Sequence, residues 1–181
     1  MLRTDGRAFA RTEIVGTGHA ERVAPMVADL LDAAGLSARE LTRLGVTVGP
    51  GSFMGARVGL SFAKGLALPG SLPCVPFATT EAIALGLPRP LTVLIDARRG
   101  QAYAHRIGED EPSLLPASEA VLVAAGGPVA GVGLGALGLE GEDRFPDTAL
   151  MAEAALTRAP GRLSPLYLRA PDAKPPSRPP L

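Results

Sequence analysis

The sequence predicts an α/β fold built on a mixed sheet. Three observations lead there: short strand-like segments, helical runs with i, i+3, i+4, i+7 apolar spacing between them, and glycine-rich turns where the two meet. The chain has 181 residues, enough for one ordinary domain or two small lobes sharing an interface.

Composition narrows the class further. Hydrophobic residues make up 46% and charged residues 20%, a soluble globular balance. Trp is absent and aromatics are only 4%, so the core must rest on Leu, Val and Ala. Formal net charge is zero, which argues against a free-standing nucleic-acid binder, since phosphates call for a basic excess. Any link to RNA would therefore run through a partner. The lone Cys74 excludes an internal disulfide and a multi-cysteine metal site, and its apolar surroundings mark it as a small core residue. No apolar run approaches the roughly 20 residues that span a bilayer. The start, Met1 to Gly6, is too polar for a secretory signal, so a cytoplasmic protein is expected.

Residues 2–9 and 11–15 read as two short strands or a hairpin, with Asp5-Gly6 as a turn signal. From His19 to Ala34 the residues Val23, Met26, Val27, Leu30, Leu31 and Ala34 form one apolar helical face, and Gly35 is a fitting stop. Ser37-x-x-Glu40 is a capping box opening a short helix. A strand at 45–48 then meets a glycine-rich turn and a helix from about Ser52 to Leu68. A buried strand around Val75 and a helix from about Thr80 to Leu85 complete this half.

Gly86-Leu87-Pro88-Arg89-Pro90 breaks the chain and suggests a lobe boundary: 1–88 as an N-terminal lobe, 89–170 as a C-terminal lobe and 171–181 as a Pro-rich disordered tail. Leu91 to Ile95 is a continuous apolar run typical of a fully buried strand. Asp96 to Gly100 makes a polar turn, and Gln101 to Ile107 alternates as a returning strand. Val129 to Val132 reads as a strand and Thr148 to Arg158 as a helix.

Gly49-Pro50-Gly51-Ser52-Phe53-Met54-Gly55 carries the most information. It sits between a strand and a helix, where free N–H groups and the helix dipole favour an anion, making Gly49, Gly51 and Ser52 a candidate anion-binding turn. It is neither a Walker A sequence nor G-x-G-x-x-G, and Pro50 removes a donor. The competing reading is a tight turn with Ser52 as N-cap. Gly133-Leu134-Gly135-Ala136-Leu137-Gly138 does match G-x-G-x-x-G, but no convincing second strand ends in an acidic residue about 20 positions on, as ribose binding would want, and the stretch reads as a connection.

Within the second long helix Gly55, Gly59, Ala63 and Ala67 recur every fourth residue, a narrow strip of small side chains. Such a strip suits close packing either on the protein's own sheet or on a partner's helix. Catalytic candidates are few. His19 and His105 form no helical metal pair, no G-x-S-x-G elbow is present, and Asp96 reads more readily as a turn cap than as a catalytic carboxylate.

Four stretches carry a family resemblance, in order along the chain. Residues 49–67, GPGSFMGARVGLSFAKGLA, resemble the GPGSFTGLRIG…AKGLA signature of the TsaB (YeaZ) family. Gly18 to Val27 resembles that family's HT…LLPMI helix, Ile95 to Tyr103 its IDARRGEVY, and Pro165 to Arg169 its closing PVYLR. Met54 stands where the family usually has Thr.

The resemblance implies a two-lobe actin/Hsp70-like (ASKHA, ribonuclease H-like) fold. It implies a non-catalytic scaffold, without metal or other cofactor, in the complex that places threonylcarbamoyl on tRNA adenosine. The partners would be a TsaD-type catalytic subunit and a TsaE-type ATPase, with a homodimer in isolation and tRNA reached only through the complex. The family's interface helices correspond to those starting at His19 and Ser52. This makes His19, Val23, Met26, Val27 and Leu30 candidate partner-binding residues on the first helix, and Gly55, Gly59, Phe62, Ala63 and Leu66 on the second. The family's opening buried strand, with its DTS motif, has no counterpart here, so a fold lacking its usual first N-terminal strand is expected. The alternatives are a degenerate ASKHA nucleotide hydrolase, a glycoprotease-like peptidase and a Rossmann-type cofactor binder.

Overall fold

The computed structural model describes residues 6–14 and 18–169. The tail 171–181 and residues 2–5 of the first expected strand lie outside the described residues.

Helix α1 (His19–Ala34) forms where the apolar periodicity places it. It ends on Gly35 at φ 64°, whose N–H donates to Asp32 while Leu36 N–H reaches back to the Leu31 oxygen. The capping box holds a single 3-10 turn, with the Ser37 N–H donating to Glu40 Oε2 at 2.8 Å. Strand β1 (Leu44–Thr47) then leads through the glycine turn into α2 (Phe53–Ala67), and β2 (Cys74–Phe77) pairs parallel with β1. Helix α3 (Thr79–Ile83) follows.

The second sheet has the order β5-β4-β3-β6, built from β3 (Thr92–Arg98), β4 (Gln101–Arg106), β5 (Ser113–Pro116) and β6 (Val129–Val132). Strands β3 and β4 are antiparallel, and β3 and β6 parallel, so the sheet is mixed. Both its faces are covered, which explains the continuous apolar run in β3. Val93, Ile95 and Tyr103 pack with Ile83 of α3, while Leu94, Ala102 and Ala104 pack with Ala120 and Ala124 of helix α4 (Ala117–Ala124). The β3–β4 turn has φ 57° at Arg99 and 69° at Gly100, and Asp96 Oδ1 accepts from the Arg98 N–H at 2.8 Å. Asp96 is thus the turn cap.

Helix α5 (Thr148–Thr157) opens on Asp147, whose carboxylate accepts from the Ala149 and Leu150 N–H groups. It packs back on the first sheet, where Met151 and Ala155 meet Val75 and Phe77. Leu163 and Leu166 return to the same sheet beside Val48, Leu60 and Ala63.

Two expectations need correction, and one stretch carried none. Residues 6–14 contain one isolated bridge at Ala8 rather than a strand pair. They lie along α1 instead, with Arg11 paired to Asp29, Glu13 to Arg22, and Arg11 and Glu13 to each other. Cys74 is half-buried at the edge of the Val48–Leu60–Ala63 cluster, not fully inside. Strand β5 and helix α4 occupy a stretch with no clear sequence signal; β5 exists because β4 offers it a pairing edge.

Candidate functional site

Among the described residues strand β1 is bonded on one edge only. The Leu44 N–H donates to the Pro73 oxygen and the Val48 N–H to the Phe77 oxygen, so even-numbered residues face β2. In a parallel ladder the intervening residues, Gly45 and Thr47, point their N–H and C=O the other way. Among the described residues no strand pairs with that second edge.

A cleft of about 540 Å³ opens beside it. One wall is the α1–α2 pair, with Val27, Leu30, Gly59, Phe62, Ala63 and Leu66. The other is α5, through Met151, Ala152, Ala155 and Leu156. Arg43 closes one end, its Nη1 donating to the carbonyls of Ala155, Leu156 and Arg158 at 2.6, 3.1 and 2.9 Å. That guanidinium satisfies the unpaired C-terminal carbonyls of α5 and fixes the helix against β1.

The structure therefore brings six of the ten candidate partner residues, Val27, Leu30, Gly59, Phe62, Ala63 and Leu66, into one cleft. Val23 and Met26 are half-buried further along α1, and Gly55 is half-buried near the start of α2; the side chain of His19 lies outside the description. The small-residue strip divides. Ala63 and Ala67 are buried in the protein's own core, whereas a Cβ added at Gly59 would meet nothing within 4 Å.

The glycine turn is committed to internal bonds. Ser52 Oγ accepts from the Gly55 N–H at 3.3 Å as the N-cap of α2. The Gly49 oxygen accepts from Thr79 N–H, and a Cβ on Gly49 would lie 2.8 Å from the Leu166 oxygen. Gly51 remains exposed. Beside this turn Phe53 and Tyr167 stack at 4.9 Å between ring centroids, both more than 40% exposed, with Arg57 over the Phe53 ring at 5.1 Å. Sequence reasoning passed over this aromatic pair because its members are 114 residues apart; the α5 wall of the cleft was missed for the same reason.

Titratable groups are sparse. Among the described residues no group of three or more His, Cys, Asp or Glu is placed to hold a metal ion. Burial pushes the Cys74 thiol up, away from a reactive thiolate. His105 is buried, with Nδ1 2.7 Å from Thr80 Oγ1. In the Gly133–Gly138 stretch the Gly133 N–H is taken by Asp143 Oδ1 at 2.7 Å. No described helix is long and apolar enough to cross a membrane.

Two sheets with helices across them and an apolar cleft between helices make a mixed α/β protein, and the similarities that follow make it one of the actin-like, ASKHA type. Residues 12–121 match the family model described as "TsaD: tRNA N6-adenosine threonylcarbamoyltransferase". The tRNA threonylcarbamoyladenosine biosynthesis protein TsaB of Escherichia coli (strain K12) is 36% identical over 115 residues, covering 61% of this chain and 50% of the relative. An uncharacterized protein of Mycobacterium tuberculosis (strain ATCC 25618 / H37Rv) is 31% identical over 172 residues, covering 91% of this chain and 82% of the relative. A solved structure described as an uncharacterized protein with similarity to peptidase YEAZ from Pseudomonas aeruginosa superposes with a TM-score of 0.76 at 25% identity, covering 92% of each chain. The chain belongs to the TsaB (YeaZ) group of the family that the matching model describes. It spans about half the length of the curated TsaB relatives it matches.

Proposed function

We propose that this chain serves in tRNA threonylcarbamoyladenosine biosynthesis as a non-catalytic scaffold, pairing through α1 and α2 with a TsaD-type catalytic subunit and acting beside a TsaE-type ATPase. The curated relatives named for that pathway supply the context. The observation that carries the reading is Gly59, a glycine at mid-helix that costs about 1 kcal/mol of propensity yet fills no internal close contact. A helix keeps such a residue where something from outside must come near. The chain alone would pair with a second copy through the same helices.

The test is co-elution of the chain with a TsaD-type subunit in size-exclusion chromatography, with threonylcarbamoyladenosine formation as the activity readout. Gly59→Leu is the informative variant, because the space around that position lets it fold. It should weaken association at least tenfold, about 1.4 kcal/mol. Association unchanged in Gly59→Leu would sink the proposed interface, and failure of the wild-type chain to associate would sink the scaffold reading.

A further inference from the structure

A chain without net charge can still carry a basic surface, because only the local distribution sets the field a ligand meets. The segments 41–80, 97–108 and 159–169 contain no Asp or Glu, yet they supply Arg57, Lys64, Arg98, Arg99 and Arg169. The fold ties these three segments together. Leu166 packs in the cluster of Val48, Leu60 and Ala63, and Leu168 against that of Ile83, Val93 and Tyr103. Tyr167, between them, is turned outward onto Phe53 of α2. Arg169, just beyond, reaches the β3–β4 turn and donates to Gln101 Oε1 at 2.6 Å and to the Arg98 oxygen at 3.5 Å.

Planar groups and positive charges therefore alternate along one surface. Arg57 lies over the Phe53 ring at 5.1 Å, and Phe53 stacks on Tyr167 at 4.9 Å, all three exposed. The ring pair belongs to none of the buried clusters, so it adds little to the core. Arg57 and Lys64 share the Phe53 face of α2, whereas Gly59, which lines the cleft, points more than a quarter turn away. Past Arg169, Arg98 and Arg99 are exposed on their turn. Asp96, at the base of that turn, accepts the Arg98 N–H.

An acidic peptide would answer the arginines and leave the rings in water, and an apolar partner would do the reverse. A nucleic-acid strand offers a planar base and a phosphate at every step. Bases in a duplex have their faces covered, so the strand must be unpaired. We propose that the surface running from Arg57 through Phe53 and Tyr167 to Arg169 and Arg98 binds an unpaired nucleic-acid strand. A base stacks on Tyr167, and Arg57 and Arg98 hold phosphates on either side. The inference does not depend on the scaffold reading, and its test contains no partner subunit.

The probe is a labelled, uridine-rich RNA of about eight nucleotides, followed by fluorescence anisotropy with the full chain. Its affinity should fall with salt, with a log–log slope of about −0.7 for each phosphate contacted. Tyr167→Ala should weaken binding about tenfold, whereas Tyr167→Phe, which keeps the ring, should bind as the wild type does. Arg57→Gln should weaken binding and flatten the salt slope by about 0.7. Arg39→Gln, which alters an exposed arginine at the opposite end of β1, should do neither. All three positions are exposed, and circular dichroism checks that each variant is folded. The proposal is overturned if the RNA does not bind, or if Tyr167→Ala binds it as well as Tyr167→Phe. It is equally overturned if a polyglutamate peptide or an RNA duplex of equal charge binds as tightly as the single strand.

Discussion

The Leu166 backbone N–H donates to the Val48 carbonyl oxygen at 2.7 Å, and through that bond the end of the described chain closes over the end of β1. The glycine turn begins one residue later, packed beneath this segment.

Gly49→Ala tests how closely the two are fitted. The position has φ 109°, which L side chains rarely adopt, and its Cβ would lie 2.8 Å from the Leu166 oxygen. The substitution should cost about 2 kcal/mol or more, because conformational strain and displacement of 163–168 act together. Urea denaturation measures it. Gly59→Ala, where nothing crowds the site, should by contrast be neutral or stabilising.

Thr80 and His105 make the buried polar contact between α3 and β4. Thr80→Val keeps the shape and leaves His105 Nδ1 unpaired, so it should destabilise by about 1–3 kcal/mol. Thr80→Ser, which retains the hydroxyl, should lose less. Thermal unfolding of the two variants distinguishes lost packing from a lost hydrogen bond.

Burial raises the Cys74 thiol, so at neutral pH less of it is thiolate than for an ordinary cysteine. Alkylation by iodoacetamide should be slow there, and its rate should still be rising with pH where that of a free cysteine has levelled off. A fast reaction at pH 7 in folded protein would contradict this environment.

The hydrogen bond and charge of Arg22, helped by Arg11, hold the Glu13 carboxyl below its ordinary range. A depressed carboxylate contributes stability above the ordinary carboxylate range and loses it as pH falls through the lowered value. Carboxyl NMR titration should show this low midpoint, and Arg22→Gln should raise it. As the group is exposed, salt should diminish the effect.

Much of the fold was legible in the sequence. Helix α1 announced itself through Val23 to Ala34 and the Gly35 stop, and β3 through its unbroken apolar run, because each pattern is enforced by local geometry and burial. Strand β5 and helix α4 were not legible. Ser113–Pro116 has little strand character of its own and is held by pairing with β4, while α4 buries only the small Ala120 and Ala124. In the part of the expected N-terminal hairpin that is described, residues 6–14 form no strand, and Arg11 and Glu13 pair with each other and with Asp29 and Arg22 of α1.

Gly59 illustrates the same division at the candidate site. Sequence determined that α2 carries small residues every fourth position, since a periodicity of four is a property of the helix itself. It could not determine which of them face the protein's own core. The tertiary structure decided that, by turning Ala63 and Ala67 inward, leaving Gly59 open and bringing α5 from about 90 residues away to wall the cleft. Contacts at that separation depend on how sheets and helices stack, and no local pattern of residues encodes them.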